Sequence, residues 1–332
     1  MNRISSTING VLERLLLRAY DASRPTPATD DKHFRAIYKE SYEKLLEFRR
    51  RKNILTDYAH PEWQSFESSI AALNDNLQPD FLRSPVVRAT FFRIMAFEFP
   101  RHRYRAILTA LNNAAHVLNY AKSANCDEDI GGLVRDCRQY NISSNSAELL
   151  CQIDSIQENG ILQNKIVEFG GGFGAAARHF IGLHAPQSYV VIDLNEVLHL
   201  TYLYLRMTIK DRPILWLNSL DPASIELIKN TGPAVVLLPR EVVFTNDEVL
   251  RHLCQDAMFY ASFSLSECND ETIDAVGRQI FPHCKSAAIY GQTFKNAFHT
   301  EDLILRNIQN TFSRVSKNPY FYGKAYALYA RK

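Results

Sequence analysis

The sequence predicts an α/β fold, a mostly parallel sheet whose last strand runs antiparallel, placed behind an N-terminal helical region. Two observations carry this. Up to about residue 150 the apolar side chains recur at helical spacing, and from about residue 146 short apolar runs alternate with amphipathic helices, the texture of βα units. A chain of 332 residues with 46% hydrophobic content has room for both parts around a well-buried core. The expected division is a helical cap or oligomerisation region over residues 1–145 and a ligand-binding α/β domain over 146–332.

In the first part, Val11, Leu12, Leu15 and Leu16, then Tyr42, Leu45 and Leu46, fall on helical stripes. A longer helix is expected from about Thr90 to Lys122, kinked or divided at Pro100, whose ring removes a backbone donor. Gly131-Gly132 and the polar stretch from Asn141 to Asn145 read as a connection. In the second part, strands are expected at 165–169, 189–193, 214–217, 234–238, 258–265, 287–292 and 325–329. Helices fill the gaps at 175–184, 196–208, 223–229, 247–254, 270–280 and 301–311. The tyrosine-dense close, Tyr320, Tyr322, Tyr326 and Tyr329, reads as the antiparallel strand with its rings packed on helices.

Composition excludes several function classes. Lys and Arg number 38 against 36 Asp and Glu, and a net charge of +2 is no footprint for nucleic-acid binding. The six cysteines form no C-x-x-C pair and have no ligand spacing to the histidines, so reduced thiols and no metal are expected. No signal-peptide core and no bilayer-length apolar run are present, which gives a cytoplasmic expectation with no membrane span.

The chemistry concentrates at Val167-Glu168-Phe169-Gly170-Gly171-Gly172-Phe173-Gly174, followed at the end of the next predicted strand by Asp193. A strand running through glycines into a helix lets backbone N–H groups approach a ligand, and the helix N-terminus favours an anionic group. A carboxylate closing the next strand can accept both hydroxyls of a ribose. The ligand so described is an adenine nucleoside derivative. Gly170-x-Gly172-x-x-Ala175 can also be written as a dinucleotide fingerprint, but Glu168 discriminates: it would repel a pyrophosphate and attract the α-ammonium of S-adenosylmethionine.

The run Glu168 to Gly174, the helix with Ala177-Arg178, and Tyr189-Val190-Val191-Ile192-Asp193-Leu194-Asn195-Glu196-Val197-Leu198 resemble the sugar O-methyltransferases of bacterial glycan and antibiotic clusters. Ala261-Ser262-Phe263-Ser264-Leu265-Ser266-Glu267-Cys268 is similar to their Ser-Phe-x-Glu-Met strand end, with Cys268 in place of Met and Ala261-Ser262 in place of the Asn. The resemblance spans roughly residues 140 to 285. It implies a class I, Rossmann-like methyltransferase fold and transfer of a methyl group from S-adenosylmethionine to a sugar hydroxyl, leaving S-adenosylhomocysteine. An amine, carboxylate or phenol acceptor, a non-catalytic cofactor-binding scaffold, and an NAD-dependent oxidoreductase are the competing readings.

The expected cofactor contacts are Glu168, Gly170, Gly171, Gly172, Gly174, Asp193 and Leu194. Asn218-Ser219, preferred by spacing, or Pro239-Arg240-Glu241 would flank the adenine, although Arg240 and Glu241 read more readily as a solvated strand end. Glu267 is the first choice for the base or acceptor anchor, with capping of the helix at Asn269 or Asp270 as the other reading. His299 is the alternative base, and Tyr290 and Gln292 could line the same pocket. Arg101, His102, Arg103 and Arg105, and the run Arg49-Arg50-Arg51-Lys52, read as solvated charge, while His179, His184 and His199 read as structural. The partner expected is a small-molecule or glycan acceptor, with homo-oligomerisation through the N-terminal helices.

Overall fold

The computed structural model describes residues 31–51, 61–87, 100–123, 130–132, 135, 137, 139–292, 298–320 and 325–332. The apolar stripe of Val11 to Leu16 and the beginning of the helix expected from Thr90 lie outside them. Helices α1 (Asp31–Arg51), α2 (Pro61–Asn74), α3 (Pro100–Asn113), α4 (Leu118–Ala121) and α5 (Ser144–Glu158) come first. Pro100 opens α3, the position a proline tolerates, and a turn at Ala114 to Val117 ends the helix that the sequence carried on to Lys122. Ser143 caps α5 by accepting from the Ser146 N–H at 3.0 Å, so the polar stretch read as a connection starts a helix.

The sheet follows: β1 (Lys165–Phe169), α6 (Ala175–His184), β2 (Ser188–Asp193), α7 (Asn195–Thr208), β3 (Ile214–Trp216), α8 (Pro222–Asn230), β4 (Ala234–Pro239), α9 (Arg240–Val243), α10 (Asp247–Cys254), β5 (Met258–Ser262), α11 (Asp270–Gln279), β6 (Ser286–Gln292), α12 (Phe298–Gln309), β7 (Arg314–Tyr320) and β8 (Ala325–Arg331). Its eight strands lie in the order β3-β4-β2-β1-β5-β6-β8-β7. The first six are parallel; β8 runs antiparallel to β6, and β7 antiparallel to β8.

Two features depart from the sequence reading. β7 was not expected, because Arg314–Tyr320 is polar, largely solvent-facing and contains Pro319, all of which an edge strand tolerates. The predicted strand at 258–265 stops at Ser262, and a 3₁₀ turn, Ser264–Glu267, takes over after Phe263 enters the left-handed region at φ 68°. The chain therefore leaves the sheet abruptly beside the glycine loop.

Each face of the sheet buries its own core. Ile166, Tyr189, Val191, Val235 and Tyr260 join α5, α6 and α7 on one side, and Phe34, Ile37, Leu45 and Ile70 of α1 and α2 belong to the same continuous cluster. Val167, Val190, Val236 and Phe259 join α10, α11 and α12 on the other. The described N-terminal helices thus share a core with the sheet. Among the described residues no helix is long and apolar enough to cross a membrane.

Candidate active site

Every parallel strand points its carboxyl end to one edge, and the chain turns outward in opposite directions from β1, to β2 on one side and β5 on the other. A crevice opens at such a switch point. The glycine loop leaves β1 there. Gly170, Gly172 and Gly174 take φ of 76°, 56° and 94°, a region that side chains disfavour. A Cβ on Gly171 would stand 2.4 Å from Val191 Cγ1, so that glycine is required for packing against β2. The Ser264 hydroxyl donates to the Phe169 carbonyl, which stitches the turn after β5 to the start of the loop.

Asp193, at the end of β2, locks the loop from the other side. Its Oδ2 accepts from the Gly172 N–H at 2.9 Å and its Oδ1 from the Leu194 N–H at 2.7 Å. Burial raises this carboxyl to about 7, opposed by those two N–H groups and by the nearby Arg240 charge. Glu168 lies beneath the loop at 2% exposure, with Oε2 accepting from the Tyr189 hydroxyl at 2.9 Å. Burial pushes it up to about 8, against the pull of the Tyr189 hydrogen bond. Gly170 to Gly174, Glu168, Asp193 and Leu194 are therefore brought together.

Asn218 and Ser219 are not. The strand beside β2 is β4, with Asp193 opposite Pro239, and β3 lies one strand further out. Asn218 donates to the Lys44 carbonyl at 3.4 Å and Ser219 to Asp221 Oδ2 at 2.9 Å. Arg240 and Glu241 stand next to Asp193 instead, and both are buried, at 6% exposure each, where the sequence suggested a solvated strand end. Polar residues at a strand terminus look alike in sequence whether solvent or protein covers them. The extra strand between α7 and β4 is what shifts the spacing.

Glu267 closes the turn after β5, and its Oε1 accepts from Gln292 Nε2, at the end of β6, at 3.1 Å. The cap of α11 is Asn269, which accepts from the Thr272 N–H at 3.1 Å, so Glu267 does not serve there. Tyr290 is fully buried, its hydroxyl donating to the Gln152 carbonyl at 3.0 Å, and is packing. His299 lies in the first turn of α12; its side chain falls outside the described residues, as do those of Arg101, His102 and Arg103. His179 and His199 are fully buried and pulled down to about 3 by that burial, which suits structural imidazoles.

One group has a role that the sequence did not reveal. Arg49 Nε and one terminal nitrogen bind both carboxylate oxygens of Glu196 at 2.7 and 2.9 Å, and the other terminal nitrogen binds Asp75 at 2.6 Å. Asn74 Nδ2 adds a bond to Glu196 Oε2 at 2.9 Å. Glu196 sits in the first turn of α7, directly after the Asp193 segment, so α1 and α2 brace the element that carries the acid. The partners are 147 residues apart in sequence, which left no local signal.

No family model matches the chain, and no curated protein does. Solved structures do align with it. The methyltransferase domain of bacterial CtHen1 aligns over 55% of this chain and 97% of its own at 10% identity, with a TM-score of 0.40. A point mutant of MtNAS aligns over 89% of this chain and 97% of its own at 10% identity, with a TM-score of 0.37. The mitomycin 7-O-methyltransferase MmcR aligns over 77% of this chain and 74% of its own at 12% identity, with a TM-score of 0.35.

The sheet order, the glycine loop after β1, the acid after β2 and the closing antiparallel pair make this a class I, Rossmann-like methyltransferase fold. The reaction carried on that fold is a matter of the side chains at the carboxyl edge.

Proposed function

We propose that the chain is an S-adenosylmethionine-dependent O-methyltransferase whose acceptor is a sugar hydroxyl of a glycoconjugate or glycosylated metabolite. The observation that carries the donor is the Asp193 carboxylate fastened to the Gly172 N–H at the crest of a left-handed glycine loop. Each oxygen of that carboxylate retains a lone pair for a ribose hydroxyl. Burial holds protons on Glu168 and Asp193 near neutral pH, and a ligand bearing ammonium and sulfonium groups would draw both into their ionised forms, whereas a pyrophosphate would keep them protonated. When bound, the donor supplies an electrophilic methyl group for in-line transfer.

In this reading Gly170, Gly171, Gly172, Gly174 and Leu194 provide the backbone cradle, and Arg240 and Glu241 take the adenine-side position that spacing had favoured for Asn218 and Ser219. Glu267, oriented by Gln292, accepts the proton of the acceptor hydroxyl, with His299 as the alternative base. The sugar acceptor rests on the sequence resemblance. The helical region of residues 1–145 is read as the cap over the acceptor and the surface for any self-association.

Transfer of labelled methyl from S-adenosylmethionine to a panel of sugars, amines and phenols tests this. Glu267→Gln is expected to lower kcat on the order of 10²-fold while S-adenosylhomocysteine still binds. Transfer to an amine or phenol but to no sugar would refute the acceptor, and unchanged kcat would refute the base.

A further inference from the structure

Three consecutive glycines have no backbone conformation of their own, so the shape of the loop after β1 has to be imposed by its neighbours. Asp193 holds the Gly172 N–H, and the Ser264 hydroxyl holds the Phe169 carbonyl. A third hold comes from α7, where the Thr201 hydroxyl donates to the Gly172 carbonyl at 2.5 Å. Gly172, at φ 56°, is thus fixed by both of its backbone groups, the N–H from the end of β2 and the carbonyl from α7.

Thr201 is fully buried, and the usual role of a helical threonine is to bond the carbonyl four residues back. That carbonyl, of Val197, lies 3.1 Å from the same oxygen. It already has the helical N–H of Thr201, whereas the Gly172 carbonyl has no other hydrogen bond among the described residues. A hydroxyl has one proton to give, and the shorter contact is to Gly172. The methyl group has a place of its own: a Cβ on Gly174 would stand 3.1 Å from Thr201 Cγ2 and 3.0 Å from Leu205 Cγ, so α7 also fills the space beneath the far end of the loop.

The helix that delivers this hydroxyl is held from behind. Glu196 is bound by Arg49 and Asn74, His199 Nε2 lies 2.9 Å from the Ser41 hydroxyl, and the Tyr202 hydroxyl donates to Glu40 at 2.6 Å. Thr201 follows His199 by two residues, about 200° round the helix, so α1 and α2 grip one side of α7 and the loop meets the other.

Resting on the donor reading of this crevice, we infer that Thr201 is a positioning residue for the methyl donor: through the Gly172 carbonyl it keeps the loop in its binding shape before the ligand arrives, with the Gly172 N–H on Asp193. Without the hydroxyl the glycines on either side let the peptide rotate, and the cost of ordering the loop falls on the ligand.

The test uses the full chain with Thr201→Val, which keeps the shape and loses the hydroxyl, and Thr201→Ser, which keeps the hydroxyl and loses the methyl. S-adenosylhomocysteine affinity is measured by calorimetry, and hydrogen exchange of the Gly172 amide is followed in the ligand-free protein. In Thr201→Val the dissociation constant is expected to rise about tenfold, the worth of one hydrogen bond, and the Gly172 amide to exchange faster. Thr201→Ser keeps both within about twofold of the wild type, although its Tm falls with the lost contact at Gly174.

Wild-type affinity in Thr201→Val, or lost affinity with unchanged exchange at Gly172, would overturn the assignment. So would equal losses in Thr201→Ser and Thr201→Val, which would make the residue a matter of packing. If Thr201→Val does not fold, Thr201→Ala against Thr201→Ser, a pair that differs in the hydroxyl alone, makes the same comparison, and equal values overturn the role. Should the wild type not bind S-adenosylhomocysteine, the donor reading has failed on its own, and exchange at Gly172 still decides whether Thr201 holds the loop.

Discussion

At the scale of single residues, the site runs on two carboxyl groups held away from their ordinary range. Burial lifts Glu168 to about 8, well above its unfolded value of about 4.3. Between those values the folded chain keeps a proton that the unfolded chain releases, so this group's contribution to stability is present below the unfolded value and is lost as pH rises towards 8. Glu168→Gln retains an acceptor for the Tyr189 hydroxyl and removes the titration. Its stability relative to wild type should therefore be greater at about pH 8.5 than at about pH 5, by on the order of 4 kcal/mol, as read by chemical denaturation. An equal difference at both values would place the titration elsewhere. Asp193, raised to about 7, follows the same sign, whereas the buried imidazoles of His179 and His199 oppose it: they stabilise above about 6.5 and lose that contribution as pH falls towards about 3.

At the scale of elements, the loop and its braces are packing devices. Gly171→Ala places a methyl group 2.4 Å from Val191 Cγ1, and the expected loss is about 1–3 kcal/mol in unfolding free energy. Val191→Ala in the same chain should return part of it; no recovery would mean that the loop, and not the Val191 contact, sets the cost. The brace on α7 makes a second case. Arg49→Met leaves Glu196, whose side chain is 7% exposed, facing Asn74 without its cation. A loss of about 2–4 kcal/mol is expected, with faster hydrogen exchange in α7, and Glu196→Gln should relieve it. Unchanged exchange would mean that α1 does not hold that helix.

The same scale shows what could be read from sequence. The glycine loop, β1, α6 and Asp193 were legible because each is a local signal, a strand pattern, a run of glycines and a helix pattern in register. The two edge strands were not equally so. β3 was recognised from its apolar residues, but its place outside β4 was not, since strand order is set by crossovers that leave no local mark. β7 escaped because its one neighbour and its exposed face demand no apolar alternation. The Arg49 brace and the burial of Arg240 are long-range facts and had no local trace.

At the scale of the whole molecule, the described N-terminal helices and the sheet meet in one continuous core, and the ion pairs of Arg49 join that interface at the carboxyl edge. In the proposed reading the helical part shapes the approach to the crevice while the sheet holds the donor. The direct measurement of that claim is calorimetric titration of S-adenosylhomocysteine into the wild type and into Asp193→Ala, with NAD as the control ligand. The account predicts saturable binding of S-adenosylhomocysteine, weakened about 100-fold by Asp193→Ala, and no heat with NAD. Binding of NAD, or affinity for S-adenosylhomocysteine that survives the loss of Asp193, would contradict it.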